Sequence, residues 1–253
     1  MKTEVELAPD AAPAFQSGFQ RALFDEMSTT YGLVNLLASF GFAWWWRYQS
    51  VRALAVQPGQ RVLDLMCGMG ECFGFIAQKL GHGALHGLDF APQMIARAQK
   101  RALALGRTAN PAREVTVRLQ DVFQIAYDAG WGNYDRLHCA FGLKTLARDQ
   151  KRRVPDLLCR LLRPGGRFSF VEIAVPRSAF LRVPYLIYLR YLIPVIGRLL
   201  MGNPQNYRML ALYTTDFGAG SDLISHWQAD VRLQVRTRPL CGGCACLIYG
   251  QVL

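Results

Sequence analysis

From Pro58 onward the chain alternates short apolar runs with stretches whose apolar positions recur every three or four residues. "RVLDLM" (61–66), "ALHGLDF" (84–90), "EVTVRLQ" (114–120), "YDRLHCAF" (134–141) and "GGRFSFVEIAV" (165–175) read as strands, the last after an "RPGG" turn. Helical patterns cover 70–80, 92–105 and 148–162. This alternation predicts a parallel, doubly wound α/β sheet. "VRLQVRTR" (231–238) and "CACLIYGQV" (244–252), parted by Gly242 and Gly243, read as a closing antiparallel pair.

Two segments depart from that rhythm. Residues 15–57 are rich in apolar and aromatic positions and read as an N-terminal helical cap, after a flexible tail over 1–14 that lacks the apolar region of a signal peptide. Residues 58–253 then form the main domain, with 177–213 as a helical lid or insertion. That insertion is strongly apolar, yet Arg182, Arg190, Arg198, Pro184 and Pro194 interrupt it. No run reaches the roughly 18 uncharged residues of a membrane span. An interfacial helix, a lid and a helix packed on the core all stay open. The same choice stands for "WWW" at 44–46: packing under the sheet, or a place at a lipid headgroup layer.

Composition narrows the partners. The 253 residues fit one large α/β domain, and 51% hydrophobic with 19% charged residues suits a folded core rather than disorder. A net charge of +11 favours anionic partners, whether nucleic acid, an acidic membrane surface or an acidic substrate. The basic residues are spread along the chain, and no aromatic motif of single-strand readers occurs, so nucleic acid is not expected. Seven cysteines point to reduced thiols and a cytoplasmic protein, with a peripheral place at the inner face of a membrane left open. "CGGCAC" (241–246) has no second ligand pair, and His82, His86 and His226 match no metal spacing. A buried strand is therefore preferred to zinc, and no metal is expected.

The chemistry gathers at "VLDLMCGMGECFGF" (62–75), a strand, a tight glycine turn and a helix start. Gly68 and Gly70 allow a ligand to approach the backbone closely. A dinucleotide fingerprint would place a small residue where Phe73 stands, which weakens that reading. Asp89 ends the second strand, where a carboxylate can accept both hydroxyls of a ribose. Asp121 ends the third, where it can accept an adenine amine or simply cap a helix. Three acidic strand ends (Asp64, Asp89, Asp121) suit a cationic nucleoside. S-adenosylmethionine, with its sulfonium and ammonium, fits.

"RVLDLMCGMGE", "HGLDFAPQMIARAQ", "LQDV", "YDRLHCAFGLKTL", "LLRPGGRFSFVEIAVP" and "GGCACLIYG" stand in the order and spacing of the UbiE/COQ5 methyltransferases, which C-methylate ubiquinone and menaquinone precursors. "FDEMSTTYGLVNLLASFG" resembles the family's opening segment, so the resemblance runs from about Phe24 to the C-terminus. It implies a Rossmann-like class I methyltransferase fold: a doubly wound seven-stranded sheet with an antiparallel last strand. It places Asp64, Gly68, Gly70 and Glu71 around the methionine end of S-adenosylmethionine. Asp89, Phe90 and Met94 would hold the ribose and adenine side, with Asp121 and Val122 on the adenine.

The match departs at the acceptor. The family's "FGLRN" is here Phe141-Gly142-Leu143-Lys144-Thr145. Lys144 keeps a cation but loses a planar bidentate fork, and Thr145 loses an amide. Tyr31 and Asn35 retain the family's opening tyrosine and asparagine, so Asn35, Phe141, Thr145 and Glu172 are expected to wall the acceptor. His138, Tyr31 and Lys144 are the candidates for proton removal or for holding a phenolate, with a core histidine as the other reading of His138.

The expected function is methylation, on carbon, of a hydrophobic quinone-precursor or isoprenoid-like small-molecule acceptor. The alternatives are a secondary metabolite such as a terpenoid, polyketide or isoprenoid diphosphate, an aminolipid nitrogen, or a non-catalytic cofactor-binding partner. Homodimerisation stays open.

Overall fold

The computed structural model describes residues 17–27, 39, 41–108, 113–125, 132–193, 195 and 204–253. Tyr31 and Asn35 lie outside them. Seven strands form one sheet: β1 (Arg61–Leu65), β2 (Gly83–Asp89), β3 (Arg113–Leu119), β4 (Tyr134–Ala140), β5 (Leu162–Ile173), β6 (Leu233–Leu240) and β7 (Ala245–Val252), in the order β3-β2-β1-β4-β5-β7-β6. The first five pair in parallel, and β7 runs antiparallel to both β5 and β6. The described helices are α1 (Ser17–Met27), α2 (Phe42–Leu54), α3 (Phe73–Leu80), α4 (Pro92–Thr108), α5 (Arg148–Leu161), α6 (Ala179–Ile187), α7 (Pro204–Phe217) and α8 (Ser221–Gln228).

The apolar runs of the central strands follow from burial on both faces of the sheet. On β1, Val62 packs among Val51 and Leu54 of α2 and Phe73 and Ile76 of α3. Its neighbours Leu63 and Leu65 belong to the opposite core, with Leu158 of α5, Phe168 and Phe170 of β5, and Trp227 of α8. Pro155 stands inside α5 and has no N–H to give to the carbonyl of Lys151. The indole Nε1 of Trp227 donates to that oxygen instead, at 3.2 Å, so the helix that carries the gap is tied to α8 at the same point.

Three boundaries differ from the sequence pattern. The helix expected from residue 70 begins at Phe73, because Gly68 (φ +55°) and Gly70 (φ +75°) spend those residues on a turn. A side chain at Gly70 would also meet the Phe73 ring at 2.6 Å. The third strand ends at Leu119, so Asp121 stands two residues beyond it. The fifth strand starts at Leu162, opposite Tyr134, and a register shift absorbs the "RPGG" segment.

The α2 helix lies against β4, β5 and β7. Its Ser50, His138 of β4 and Ser169 of β5 are completely buried polar groups that satisfy one another. Among the described residues, no helix is long and apolar enough to cross a membrane.

Candidate active site

At the C-terminal ends of β1, β2 and β4 a cleft encloses about 600 Å³, including the part open to solvent. Active sites of open parallel sheets form at this edge. Asp64, Met66, Cys67, Gly68, Glu71 and Cys72 line one side, Asp89, Phe90 and Met94 follow from β2 and α4, and Ala140, Phe141, Gly142 and Thr145 close the other. Arg47, from α2, completes it.

Asp89 organises the glycine turn. One carboxylate oxygen accepts the N–H of Gly68 at 2.8 Å, and the other accepts that of Ala91 at 3.0 Å. Burial pushes its acid up from 3.8 to about 6, against the pull of those backbone donors. Each oxygen keeps a lone pair that can accept a hydroxyl. Only the carboxylate accepts from both hydroxyls of a ribose, so affinity for S-adenosylmethionine should be steady above pH 7. Below pH 6 it should fall about tenfold per unit, as protonation removes the binding form. Calorimetric titration across pH 5–8 reads this directly, and binding that is level across the range would refute it.

Asp64 sits on the floor with 2% of its surface exposed. His138 Nδ1 is 2.7 Å from one of its oxygens, His138 Nε2 is 3.0 Å from Ser50 Oγ, and Ser50 Oγ is 2.9 Å from Ser169 Oγ. These contacts form one buried chain of hydrogen bonds from Ser169 through Ser50 and His138 to Asp64. Cys72 Sγ approaches as well, within 4.8 Å of ligand atoms on Asp64 and His138. The hydrogen bonds already account for the aspartate and the histidine.

Burial also pushes the thiols of Cys67 and Cys72 well above the ordinary cysteine range. The charge of Asp89 then adds to this at Cys67, and that of Asp64 at Cys72.

On the opposite wall Phe141 adopts a left-handed backbone (φ +65°) and turns the chain into the short helix Leu143–Thr145. Lys144 points away from the cleft. Its Nζ donates to Glu172 Oε1 at 2.7 Å and to the carbonyl of Phe141 at 2.9 Å, and its backbone N–H donates to Glu172 Oε2 at 2.9 Å. Thr145 Oγ1 donates to the Gly142 carbonyl at 2.7 Å, and Gln20 of α1 donates to the Thr145 carbonyl at 2.5 Å.

Among the described residues that line the cleft, the cation is Arg47. Its guanidinium lies 3.2 Å from Glu71 and 4.7 Å from the centre of the Phe141 ring. Sequence reasoning passed over this residue. The available signal was a single charge following the apolar run Phe42–Trp46 on one helix.

The cleft thus brings together Asp64, Gly68, Glu71, Asp89, Phe90, Met94, Phe141 and Thr145. Gly70 shapes the turn beside it. His138, Lys144 and Glu172 stand in the layer behind the wall, all completely or almost completely buried. Asp121 accepts the N–H of Phe123 at 2.9 Å, and Val122 packs in the core.

The donor set fits S-adenosylmethionine. Three carboxylates, Asp64, Glu71 and Asp89, meet a ligand with two positive centres and a ribose diol, Arg47 offers a partner for a carboxylate, and Met94 and Phe90 supply an apolar surface for a base. A reversed seventh strand in this sheet order, with acidic strand ends around a glycine turn, defines a class I methyltransferase. The ubiE/COQ5 methyltransferase family matches residues 16–251. The chain belongs to that family, and it is an S-adenosylmethionine-dependent methyltransferase.

Among relatives, the chain is 29% identical over 229 residues to a demethylmenaquinone methyltransferase of Thermus thermophilus, covering 90% of this chain and 99% of that one. It is 24% identical over 248 residues to a demethylmenaquinone methyltransferase of Desulfitobacterium hafniense, covering 97% and 94%. Among solved structures, the fold is similar to that of the plantazolicin methyltransferase BpumL in complex with SAH (TM-score 0.58, 10% identity, 96% and 94% covered). It is also similar to that of a SAM-dependent methyltransferase from Aquifex aeolicus (TM-score 0.54, 14% identity, 82% and 89% covered).

Proposed function

We propose that this enzyme methylates a ring carbon of a hydrophobic, aromatic acceptor of the quinone-precursor class. The observation that carries this reading is the wall opposite the carboxylates. Ala140, Phe141 and Gly142 present an apolar surface, the Met66 side chain lies against Gly142, and one guanidinium, Arg47, lies over the Phe141 ring. The relatives named demethylmenaquinone methyltransferases support it.

Bound in the cleft, S-adenosylmethionine supplies an electrophilic methyl group. The protein's part is to orient, to exclude water and to keep the acceptor electron-rich. Asp89 would hold the ribose, Asp64 and Glu71 the ammonium, Phe90 and Met94 the adenine side, and Arg47 the α-carboxylate or an acceptor oxygen. Asp121 and Val122 complete the adenine side by resemblance to the family, and Tyr31 and Asn35 complete the acceptor wall.

A phenolate oxygen facing Arg47 would raise electron density on the adjacent ring carbon. Lys144 acts here as a positioning residue that fixes the Phe141 carbonyl, and His138 as one that orients Asp64. Neither touches the acceptor.

The test uses methyl-labelled S-adenosylmethionine with a prenylated naphthoquinol or benzoquinol. The expected product carries label on a ring carbon and extracts into organic solvent. Arg47→Met should lower kcat/KM for the quinol about 10- to 100-fold, on the scale of one lost charge-assisted contact. Label that sits on oxygen, or that enters neither quinol in protein shown to bind the cofactor, would sink the carbon-methylation reading.

A further inference from the structure

Between Glu172 and Asp216 the chain carries five arginines (177, 182, 190, 198 and 208) and no acidic residue. Within that stretch, α6 and the wider π turn that continues it (Tyr188–Leu192) bury none of their side chains completely. One side of this element is nevertheless anchored. A side chain at Gly242 would meet Leu181 at 2.7 Å, and Tyr185 Oη donates to the Cys244 carbonyl at 3.5 Å. Burial against this turn pushes the Tyr185 phenol up.

The other side is apolar and open. Phe180, Val183, Ile187 and Tyr191 follow one another at spacings of three, four and four residues, which on a helix is a single stripe. They are 86%, 56%, 56% and 64% exposed. Arg182 and Arg190 are exposed on the same element.

We infer that this stripe is the docking face by which the enzyme lies on an anionic lipid bilayer. Apolar side chains in a row, an interfacial tyrosine, and arginines with no acidic residue among them are the features of an in-plane membrane helix. The net charge of +11 draws the whole chain to the same surface.

Its place in the fold agrees. The turn under α6 includes Cys241, whose Sγ accepts the indole N–H of Trp46 at 3.3 Å, and Trp46 packs edge-on against Phe141 at 6.4 Å. Phe141 is the cleft wall. Docking through α6 therefore sets the cleft near the lipid, where a prenylated substrate resides. The docking itself does not depend on which acceptor is used.

The experiment is co-sedimentation of the full chain with vesicles of phosphatidylcholine alone and with added phosphatidylglycerol. The protein should pellet with the anionic vesicles and be released by high salt. Phe180→Ser/Ile187→Ser should weaken partitioning at least tenfold. Arg182→Gln/Arg190→Gln should weaken it about fivefold for each arginine removed. Both variants should bind S-adenosylmethionine as the parent does, which shows that they fold. A parent that stays in the supernatant with anionic vesicles overturns the inference, as do variants that pellet unchanged. A parent dimer that Phe180→Ser/Ile187→Ser converts to monomer without changing vesicle binding assigns the stripe to a second copy of this chain, and overturns it too.

Discussion

Replacing Asp89 with asparagine is expected to abolish useful cofactor binding while leaving the protein folded. The carboxylate is proposed to accept two ribose hydroxyls, and a hydrogen bond to a charged group contributes about 1.5–3 kcal/mol. Losing both corresponds to a dissociation constant raised about 10²- to 10⁴-fold. The cofactor-free fold should fare better than that figure suggests. Asparagine gives up a backbone donor, such as Gly68 or Ala91, at about 1–3 kcal/mol. Against this, the buried aspartate is itself a burden when ionised. Its acid stands at about 6 rather than 3.8, a gap worth roughly 3 kcal/mol. The sign follows from the raised value: this aspartate favours the fold fully below pH 4, and that contribution is lost as pH rises through 6. At pH 8 the asparagine variant should melt within a few degrees of the parent in the absence of cofactor, yet gain nothing when cofactor is added. Thermal melts with and without S-adenosylmethionine read both halves. A cofactor-induced rise in Tm equal to that of the parent would remove Asp89 from the binding site.

The second large effect lies behind the cleft, at the buried pair of Lys144 and Glu172. Glu172→Ala should cost about 3–5 kcal/mol, because it strands the Lys144 ammonium in the interior with one carbonyl for company. At about 2–4 °C per kcal/mol for a chain of this size, Tm should fall roughly 6–20 °C. Lys144→Met should cost less, since Glu172 keeps the backbone N–H groups of Lys144 and Ile173. The double variant Lys144→Met/Glu172→Gln should recover much of the loss, because it removes both charges and preserves volume. Melting Lys144→Met, Glu172→Gln and the double variant closes the cycle. A Glu172→Ala protein that melts within 2 °C of the parent would show that the pair is not a buried structural tie.

The sheet was legible from the sequence because burial on both faces of the central strands forces continuous apolar runs, and the turns between them carry glycine. The carboxylate side of the cleft, proposed for the cofactor, was legible for a related reason. Backbone approach at Gly68 and Gly70, and an acid at the end of β2, are local needs written in contiguous residues. The acceptor half was not. Whether a side chain on β4 or β5 faces a cleft or a neighbouring helix depends on what packs against it. His138 faces Asp64 on β1 and Ser50 on α2, and Ser50 lies 88 residues away in the chain. Lys144 turns inward because Glu172, on the neighbouring strand, offers two oxygens to it. Arg47 reaches the cleft from α2, whose placement depends on tertiary packing that apolar periodicity alone does not encode.

Two of the thiols along this cleft bear on its chemical durability. Quinones in their oxidised form are soft electrophiles that add to thiolates, and Cys67 and Cys72 line the chamber proposed to receive the reduced partner of such a molecule. Burial and the charge of Asp64 and Glu71, joined by Asp89 at Cys67, keep both sulfurs protonated and therefore poor nucleophiles. The carboxylates proposed to select a cationic cofactor would thus also shield their neighbours from arylation by an oxidised quinone.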